Sequence, residues 1–213
     1  MQEWRYYAES ATALFVIANP IGAIPVFITL STSHTDEERK RITNTTAATV
    51  AAVLVVSIFV GQPLLNLFGI GLPSFRVGGG ILIMLMAIAM MQARPSRAQR
   101  TPEEAAEAAT KDDIAVVPLG IPLVAGPGAI STVIIYAQQT TSWFDTVFLI
   151  FASILVALSV WIALRLADPI SRMLGRTGIN IVMRLFGLIL TAVAVEFIAG
   201  GLSQLFPGLA NKG

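Results

Sequence analysis

The chain has 213 residues, of which 55% are hydrophobic and only 13% are charged, and its mean hydropathy is +0.75. A soluble domain averages about a quarter charged residues, so this composition indicates a membrane protein and argues against a soluble enzyme. The net charge of +1 gives no basic field that would recruit nucleic acid. The chain lacks Cys, and His34 is its one His, which removes thiolate metal sites, disulfides and most His-based catalysis. We expect no metal and no cofactor.

Six apolar stretches follow one another along the chain and are candidates for crossing about 30 Å of hydrocarbon. The first and fourth are interrupted by Gly and Pro, and the third is short. Polar and charged connections separate the stretches. The pattern predicts an all-α polytopic membrane protein with six transmembrane helices, of which helices 1 and 4 are broken. The predicted segments are 8–31, 45–68, 75–92, 114–137, 146–166 and 181–206.

The longest polar connection carries the signature of a short surface helix. Thr101 is a suitable N-cap, Pro102 would occupy the first helical position, and Glu104 follows three residues after the cap, before an Ala-rich run. The connection therefore divides the chain into two halves. The predicted division is a three-helix repeat at 1–92, a cytoplasmic connection at 93–113 and a second three-helix repeat at 114–213.

The second half repeats landmarks of the first half at an offset of 106 to 108 residues. A single match would carry little weight in so biased a composition, but four recur in the same order. Pro20 followed by Gly22-Ala23-Ile24 matches Pro127 followed by Gly128-Ala129-Ile130, Pro63 and Gly69 match Pro169 and Gly175, and Arg76, Gly79, Ile81 and Leu82 match Arg184, Gly187, Ile189 and Leu190.

An odd number of spans in each half makes the second copy enter the membrane from the opposite side, so the repeat is predicted to be inverted. The positive charges point the same way. If all six segments span, one face carries 11 of the 14 Lys and Arg, within 32–44, 93–113 and 165–184. If segments one and four were re-entrant, the division would be 9 against 5. The positive-inside rule therefore favours six full spans with both termini outside the cytoplasm.

Each half contains one helix break near the middle of its first segment, at Asn19-Pro20 and at Gly126-Pro127. Proline lacks a backbone donor and clashes with the preceding turn, but it suits the first helical position, and Asn is a good N-cap. The breaks predict half-helices whose N-terminal ends face each other and offer N–H groups to an anion. The alternative is that Pro and Gly kink these helices and allow close packing. The equivalent positions of the two breaks favour a transport site.

Two long motifs, NPIGAIPVF at 19–27 and VPLGIPLVAGPGAIST at 117–132, resemble the signature stretches of the MarC family. The likeness covers essentially the whole chain, including the starts of segments three and six. The resemblance implies a multi-pass protein of the bacterial or archaeal inner membrane. It also implies a neutral amino acid transporter within the broader lysine-exporter superfamily, whereas the family's antibiotic-resistance name is no argument for drug efflux.

A neutral amino acid is a small zwitterion, whose carboxylate suits helix N-termini and whose ammonium group needs acceptors. Carbonyls freed before the breaks, at Ile17, Ala18, Val124 and Ala125, are candidate acceptors. Small residues after each break leave the backbone accessible, and two hydroxyls add polarity, although hydroxyls on membrane helices often bond their own helix. The predicted substrate-binding residues are Asn19, Pro20, Gly22, Ala23, Gly126, Pro127, Gly128, Ala129, Ser131 and Thr132.

Glu196 is the one acid well inside a predicted span. Its insertion costs about 2.5 kcal/mol or more, so we expect it to face a polar interior. It is a candidate proton carrier for secondary transport, and the alternative is a protonated or hydrogen-bonded packing residue. Arg76, Arg184 and Asp168 lie at span ends, where snorkelling or helix-end capping is the expected role.

Three other functional classes stay open as alternatives. An intramembrane protease would need an Asp pair, a Ser-His pair or HExxH within the spans, and the His lies in a loop. A metal-ion exporter would need several inward carboxylates, and a scaffold protein would transport nothing. The chain contains no G-x-x-x-x-G-K-[ST] motif, so transport would be secondary or facilitated. The expected partners are a small zwitterionic solute and the lipid bilayer, and the oligomeric state is not predicted.

Overall fold

The computed structural model describes residues 2–31, 34–92, 119–120 and 124–210. All regular elements in this part of the chain are α-helices, apart from the π-type geometry at 119, 120 and 124. In chain order they are α1 (Gln2–Ala18), α2 (Pro20–Leu30), α3 (Asp36–Leu67), α4 (Leu72–Met91), α5 (Pro127–Gln138), α6 (Trp143–Arg165), α7 (Ala167–Leu205) and α8 (Pro207–Ala210).

Five stretches of the described residues are long and apolar enough to cross a membrane, which confirms an all-α, multi-pass membrane protein. Of the predicted fourth span at 114–137, the structure describes only 119–120 and 124–137. The predicted surface helix in the 93–113 connection lies wholly outside them. The five stretches are Tyr6–Ile28, Asp36–Leu67, Leu72–Met91, Trp143–Arg165 and Thr177–Leu205.

Two helices begin at capping boxes, which explains where they start. The Glu38 backbone N–H donates to Thr35 Oγ1 at 3.3 Å, and the Thr35 N–H donates to Glu38 Oε2 at 2.7 Å. Ser142 and Asp145 repeat this reciprocal pair at the start of α6. Each box satisfies donors that a helix start leaves unpaired. For this reason α3 begins at Asp36, nine residues before the predicted apolar segment at 45.

Two glycines occupy the left-handed region of backbone space, where side chains with a Cβ are disfavoured. Gly69, at φ 65°, turns the chain between α3 and α4. Gly175, at φ 61°, interrupts α7 before its apolar part begins at Thr177. These two glycines are partners in the predicted sequence repeat, and both have a positive φ.

The helices of the two halves pack against each other rather than forming separate bundles. α4 lies along α7, and α3 packs against α6. The half-helix α2 packs against α6 and α7, while α5 packs against α3 and α4. Glycines allow α4 and α7 to approach closely, since a Cβ on Gly201 would lie 2.8 Å from the Pro73 carbonyl oxygen.

Large apolar side chains point away from this packed interior on every long helix. Phe59 of α3, Leu85 of α4, Phe151 of α6 and Leu185 of α7 are each about half exposed or more. In water such a surface would be unfavourable, but in a bilayer it faces hydrocarbon. The exposed apolar faces therefore support the assignment to a membrane.

Candidate functional site

The first predicted break is confirmed at Asn19. The N–H of Asn19 closes α1 by donating to the Phe15 carbonyl at 3.1 Å, and α2 then begins at Pro20. Asn19 adopts a left-handed conformation at φ 47°, and its Oδ1 accepts the Gly22 N–H at 3.2 Å. One residue therefore ends one helix and caps the next, which suits Asn because it tolerates the left-handed region.

The Asn19 side chain also occupies the space that a side chain at Gly22 would need. We expect Asn19→Gly to lower the free energy of unfolding by only a few tenths of a kcal/mol, because glycine retains the left-handed conformation. Asn19→Ala should cost about 2 kcal/mol, since it removes the cap and strains the backbone. Gly22→Ala should be clearly more harmful in the parent than in an Asn19→Gly background. The free energy of unfolding in detergent is measured for the four purified variants, namely the three single substitutions and the Asn19→Gly, Gly22→Ala double variant. An equal cost of Gly22→Ala in both backgrounds would disprove the coupling between Asn19 and Gly22.

The second break is organised differently. Before it, the Ala125 N–H donates to the Gly120 carbonyl at 2.9 Å, a π-type bond spanning five residues. Gly126 is extended, and α5 begins at Pro127 as predicted. Gly126 has no side chain to accept from the first-turn N–H groups of Gly128 and Ala129. The two breaks thus differ in that only the first is capped by a side chain.

The structure brings the two breaks together in the buried interior. A Cβ on Gly128 would lie 2.9 Å from Ile83 Cγ1 and 3.2 Å from Ile17 Cγ2. Ile17 lies two residues before Asn19, and Gly128 directly follows the Gly126-Pro127 break, so the last turn of α1 packs on the first turn of α5. Residues on both sides of the breaks are buried, namely Ile17, Ala18, Pro20, Ala23, Val124, Ala125, Gly126, Gly128 and Ala129.

The two predicted hydroxyl residues are buried on α5. Thr132 Oγ1 donates to the Gly128 carbonyl at 2.8 Å, so this hydroxyl bonds its own helix. Ser131 packs against Gly79 of α4, where a Cβ on the glycine would lie 2.7 Å from Ser131 Cβ. The absence of a side chain at Gly79 is what admits Ser131.

A cavity of about 700 Å³ opens between α1 and α7. Its charged lining consists of Glu9 of α1, Arg76 of α4 and Glu196 of α7, and Tyr136 of α5 adds a phenol. We call it the Glu196 cavity. The remaining lining is mostly apolar and extends along α1 to Val16, one turn before the break at Asn19. The cavity therefore leads from the end of the protein at which α1 begins toward the breaks.

Tyrosine hydroxyls hold the α1 wall of this cavity in place. Tyr6 Oη donates to the Tyr136 carbonyl at 3.1 Å, and Tyr7 Oη donates to Asp145 Oδ1 at 2.9 Å. These bonds join α1 to α5 and α6 near the level of Glu9. The position of Glu9 relative to Glu196 thus depends on contacts that are remote in sequence.

Sequence reasoning found part of this cavity and missed the rest. The exposed side chain of Glu196 lines the cavity, and its role as a proton carrier stays a prediction. Arg76 was expected at a span end, but its guanidinium lies over the Phe197 ring, 5.6 Å from the centroid, and lines the same space. Glu9 and Tyr136 were not predicted. The signal for Glu9 was its place inside the first apolar segment.

A second polar cluster joins α3 to the first turn of α7. Arg39 binds both carboxylate oxygens of Asp168, at 2.8 and 2.9 Å, and its guanidinium lies over the Phe27 ring at 5.3 Å. Asp168 was expected only to cap or to snorkel. This two-point pair is half exposed, so it stabilises the fold by about 1 kcal/mol or less.

A known protein family covers both helix breaks and the Glu196 cavity. The model of the MarC family of integral membrane proteins matches residues 4–206. The chain belongs to the MarC family. The match includes both breaks and every charged residue of the Glu196 cavity, so these features lie in the part of the chain that the family shares.

Relatives in the family come from distant organisms. The UPF0056 membrane protein YhcE of Escherichia coli K12 is 40% identical over 206 residues, covering 96% of this chain and 95% of the relative. A UPF0056 membrane protein of Buchnera aphidicola is 37% identical, with 96% and 95% covered. One from the archaeon Methanocaldococcus jannaschii is 36% identical, with 93% and 96% covered. No solved structure matches the chain significantly.

Proposed function

We propose that this protein is a secondary transporter of small neutral amino acids in the inner membrane of a bacterium or archaeon. The observation that carries the proposal is the meeting of two helix breaks in the buried interior, where Ile17 packs on Gly128. The lining of the Glu196 cavity ends at Val16, one turn before the first break. Broken helices that meet at mid-membrane are typical of secondary transporters. The resemblance noted above supplies the substrate class.

The proposal includes six spans arranged as a 3+3 inverted repeat. Three pairs of structural features, each with one member in either half of the chain, support this arrangement. The capping boxes at Thr35 and Ser142 begin α3 and α6, and Gly69 and Gly175 both have a positive φ. The contacts of α2 with α6 and α7 mirror those of α5 with α3 and α4. Such exchanged packing is expected when two halves are related by an axis in the membrane plane.

The positive charges predict both termini outside the cytoplasm, and single Cys substitutions in this Cys-free chain test this. We expect a membrane-impermeant thiol reagent to label Gln139→Cys in intact cells, because the connection between α5 and α6 then lies outside. Lys40→Cys, near the start of α3, should react only after the membrane is opened. Both positions are exposed. The reverse labelling pattern would overturn the orientation.

The substrate carboxylate would bind where the two half-helices begin. At the first break it would replace Asn19 Oδ1 as the acceptor for the Gly22 N–H. At the second it would accept from the N–H groups of Gly128 and Ala129, which Gly126 leaves uncapped. The positive ends of both helix dipoles would favour it.

The ammonium group would bind to acceptors on the other side of each break. Carbonyls of Ile17, Ala18, Val124 and Ala125 precede the breaks, and the Ser131 hydroxyl follows the second break on α5. The site is closed by Ile17 and Ile83 in this structure, so α4 and α5 must separate for a solute to enter. Separation of packed helices around a fixed midplane site is the usual form of alternating access.

Flux into proteoliposomes tests the function directly. Purified protein is reconstituted and offered labelled glycine, alanine, serine and leucine, with and without a pH gradient. We expect saturable uptake of at least one of them. Flux of divalent cations instead would favour the metal-ion exporter, and the absence of any solute flux from correctly inserted protein would favour a scaffold.

A further inference from the structure

The described lining of the Glu196 cavity contains more negative than positive charge. Among the described residues, two carboxylates, of Glu9 and Glu196, and one guanidinium, of Arg76, line it, and the net formal charge of these three groups is −1 when all are ionised. Apolar residues such as Ala13, Val193 and Phe197 form most of the remaining wall. A charge beside low-dielectric walls acts more strongly and over a longer distance than the same charge in bulk water.

Arg76, the one cation in the described part of the lining, is held in a fixed place. Gly200 leaves room for Arg76, since a Cβ there would lie 3.0 Å from Arg76 Cζ. The Phe197 ring packs under the guanidinium. Arg76 Nε is buried and has no hydrogen-bond partner among the described residues. Because arginine presents several donors in a planar fork, a fixed Arg76 suits a carboxylate better than a diffuse positive charge would.

We propose that the Glu196 cavity is an access site that selects solutes bearing a primary ammonium group. Glu9 and Glu196 attract the ammonium, and Arg76 binds the carboxylate of a zwitterion. Anions without an ammonium group are repelled. The inference deepens the proposed function, on which its solute class rests. It names the place where solutes are selected before they reach the breaks at Asn19 and Gly126.

Charged thiol reagents measure this selectivity without any transport. Ala192→Cys places a thiol in the cavity wall, and Gln204→Cys places one at an exposed position of α7 outside the cavity. The probes are a cationic trimethylammonium methanethiosulfonate and an anionic sulfonate methanethiosulfonate. After normalisation to Gln204→Cys, we expect the cationic reagent to modify Ala192→Cys about tenfold faster than the anionic one.

Substitutions that preserve side-chain shape identify the groups responsible. Glu196→Gln and Glu9→Gln, each combined with Ala192→Cys, should lower the cation preference several-fold, and Arg76→Gln should raise it. Millimolar n-propylammonium should slow modification by the cationic reagent, whereas propionate should not. Any of three results would overturn the inference. The first is an equal normalised rate for both reagents, and the second is a cation preference that neither Glu→Gln substitution changes. The third is an Ala192→Cys thiol that reacts with neither reagent although Gln204→Cys reacts.

These results are separable from the proposed function. A cavity that prefers cations in a protein without amino acid flux would support the inference and contradict the transport proposal. A protein that transports amino acids but whose cavity shows no charge preference would support the transport proposal and contradict the inference.

Discussion

Gly128→Val is expected to lower amino acid affinity about 10- to 100-fold, because its side chain would fill the place where the two half-helices begin. A Cβ at this position already lies 2.9 Å from Ile83 and 3.2 Å from Ile17, and valine adds two methyl groups beyond it. The methyl groups must move aside when a solute binds here. We take the cost of overpacking, about 1 to 3 kcal/mol, as the scale of that displacement, and about 1.4 kcal/mol corresponds to tenfold in affinity. Equilibrium binding of labelled substrate to purified protein measures the loss.

The matched control is Gly78→Val on α4. Gly78 is exposed, and a Cβ there meets no atom within 4 Å, so valine would point toward lipid and leave affinity unchanged. Gly69 would be a poorer control because its left-handed φ strains any larger residue. Gly22→Val should lose binding as Gly128→Val does, by displacing Asn19. If folded Gly22→Val and Gly128→Val proteins bind substrate as tightly as the parent, the breaks serve packing alone.

Glu196→Gln is expected to abolish accumulation driven by a pH gradient, while exchange of substrate down its own gradient continues. The reason is that glutamine has the shape of glutamate but cannot take up and release a proton. Glu196 is exposed to the cavity that leads toward the breaks, which is the position that a proton carrier requires. Uptake into proteoliposomes with an imposed pH gradient, and counterflow without one, separate the two activities.

The control for this substitution is Glu37→Gln. Glu37 is an exposed acid in the first turn of α3, outside the cavity, so its loss should leave both activities at the parental level. Undiminished accumulation by Glu196→Gln protein would remove this residue from the coupling mechanism. Equal loss of accumulation and exchange would assign it to substrate binding or folding instead.

Features that depend on the local chain could be predicted from sequence. Hydropathy alone indicated a multi-pass helical membrane protein, and the motifs at both breaks indicated the family. The breaks themselves followed from the missing donor of Pro20 and Pro127 and from the capping ability of Asn19, which act within one helical turn. The fourth span and the connecting helix remain predictions, because they lie partly or wholly beyond the described residues.

Features that join distant parts of the chain could not be predicted in this way. In water, the period of apolar residues shows which helix face is buried, but a membrane helix is apolar on its lipid face as well. On α6, Leu149 is fully buried while Phe151 is 54% exposed, and hydropathy does not distinguish them. The apolar pattern alone therefore does not determine how each helix is rotated about its axis or which helices it contacts.

Only the tertiary structure therefore decided how the site is assembled. It placed Glu9 and Glu196 in one cavity, fixed Arg76 over Phe197 and paired Arg39 with Asp168. It also showed that Ile17 packs on Gly128. These contacts arise from how small residues let the helices of two halves approach and interlock. By itself, the sequence determined where the helices break, because a break is a property of a few consecutive residues, whereas what faces the break depends on helices far apart in the chain.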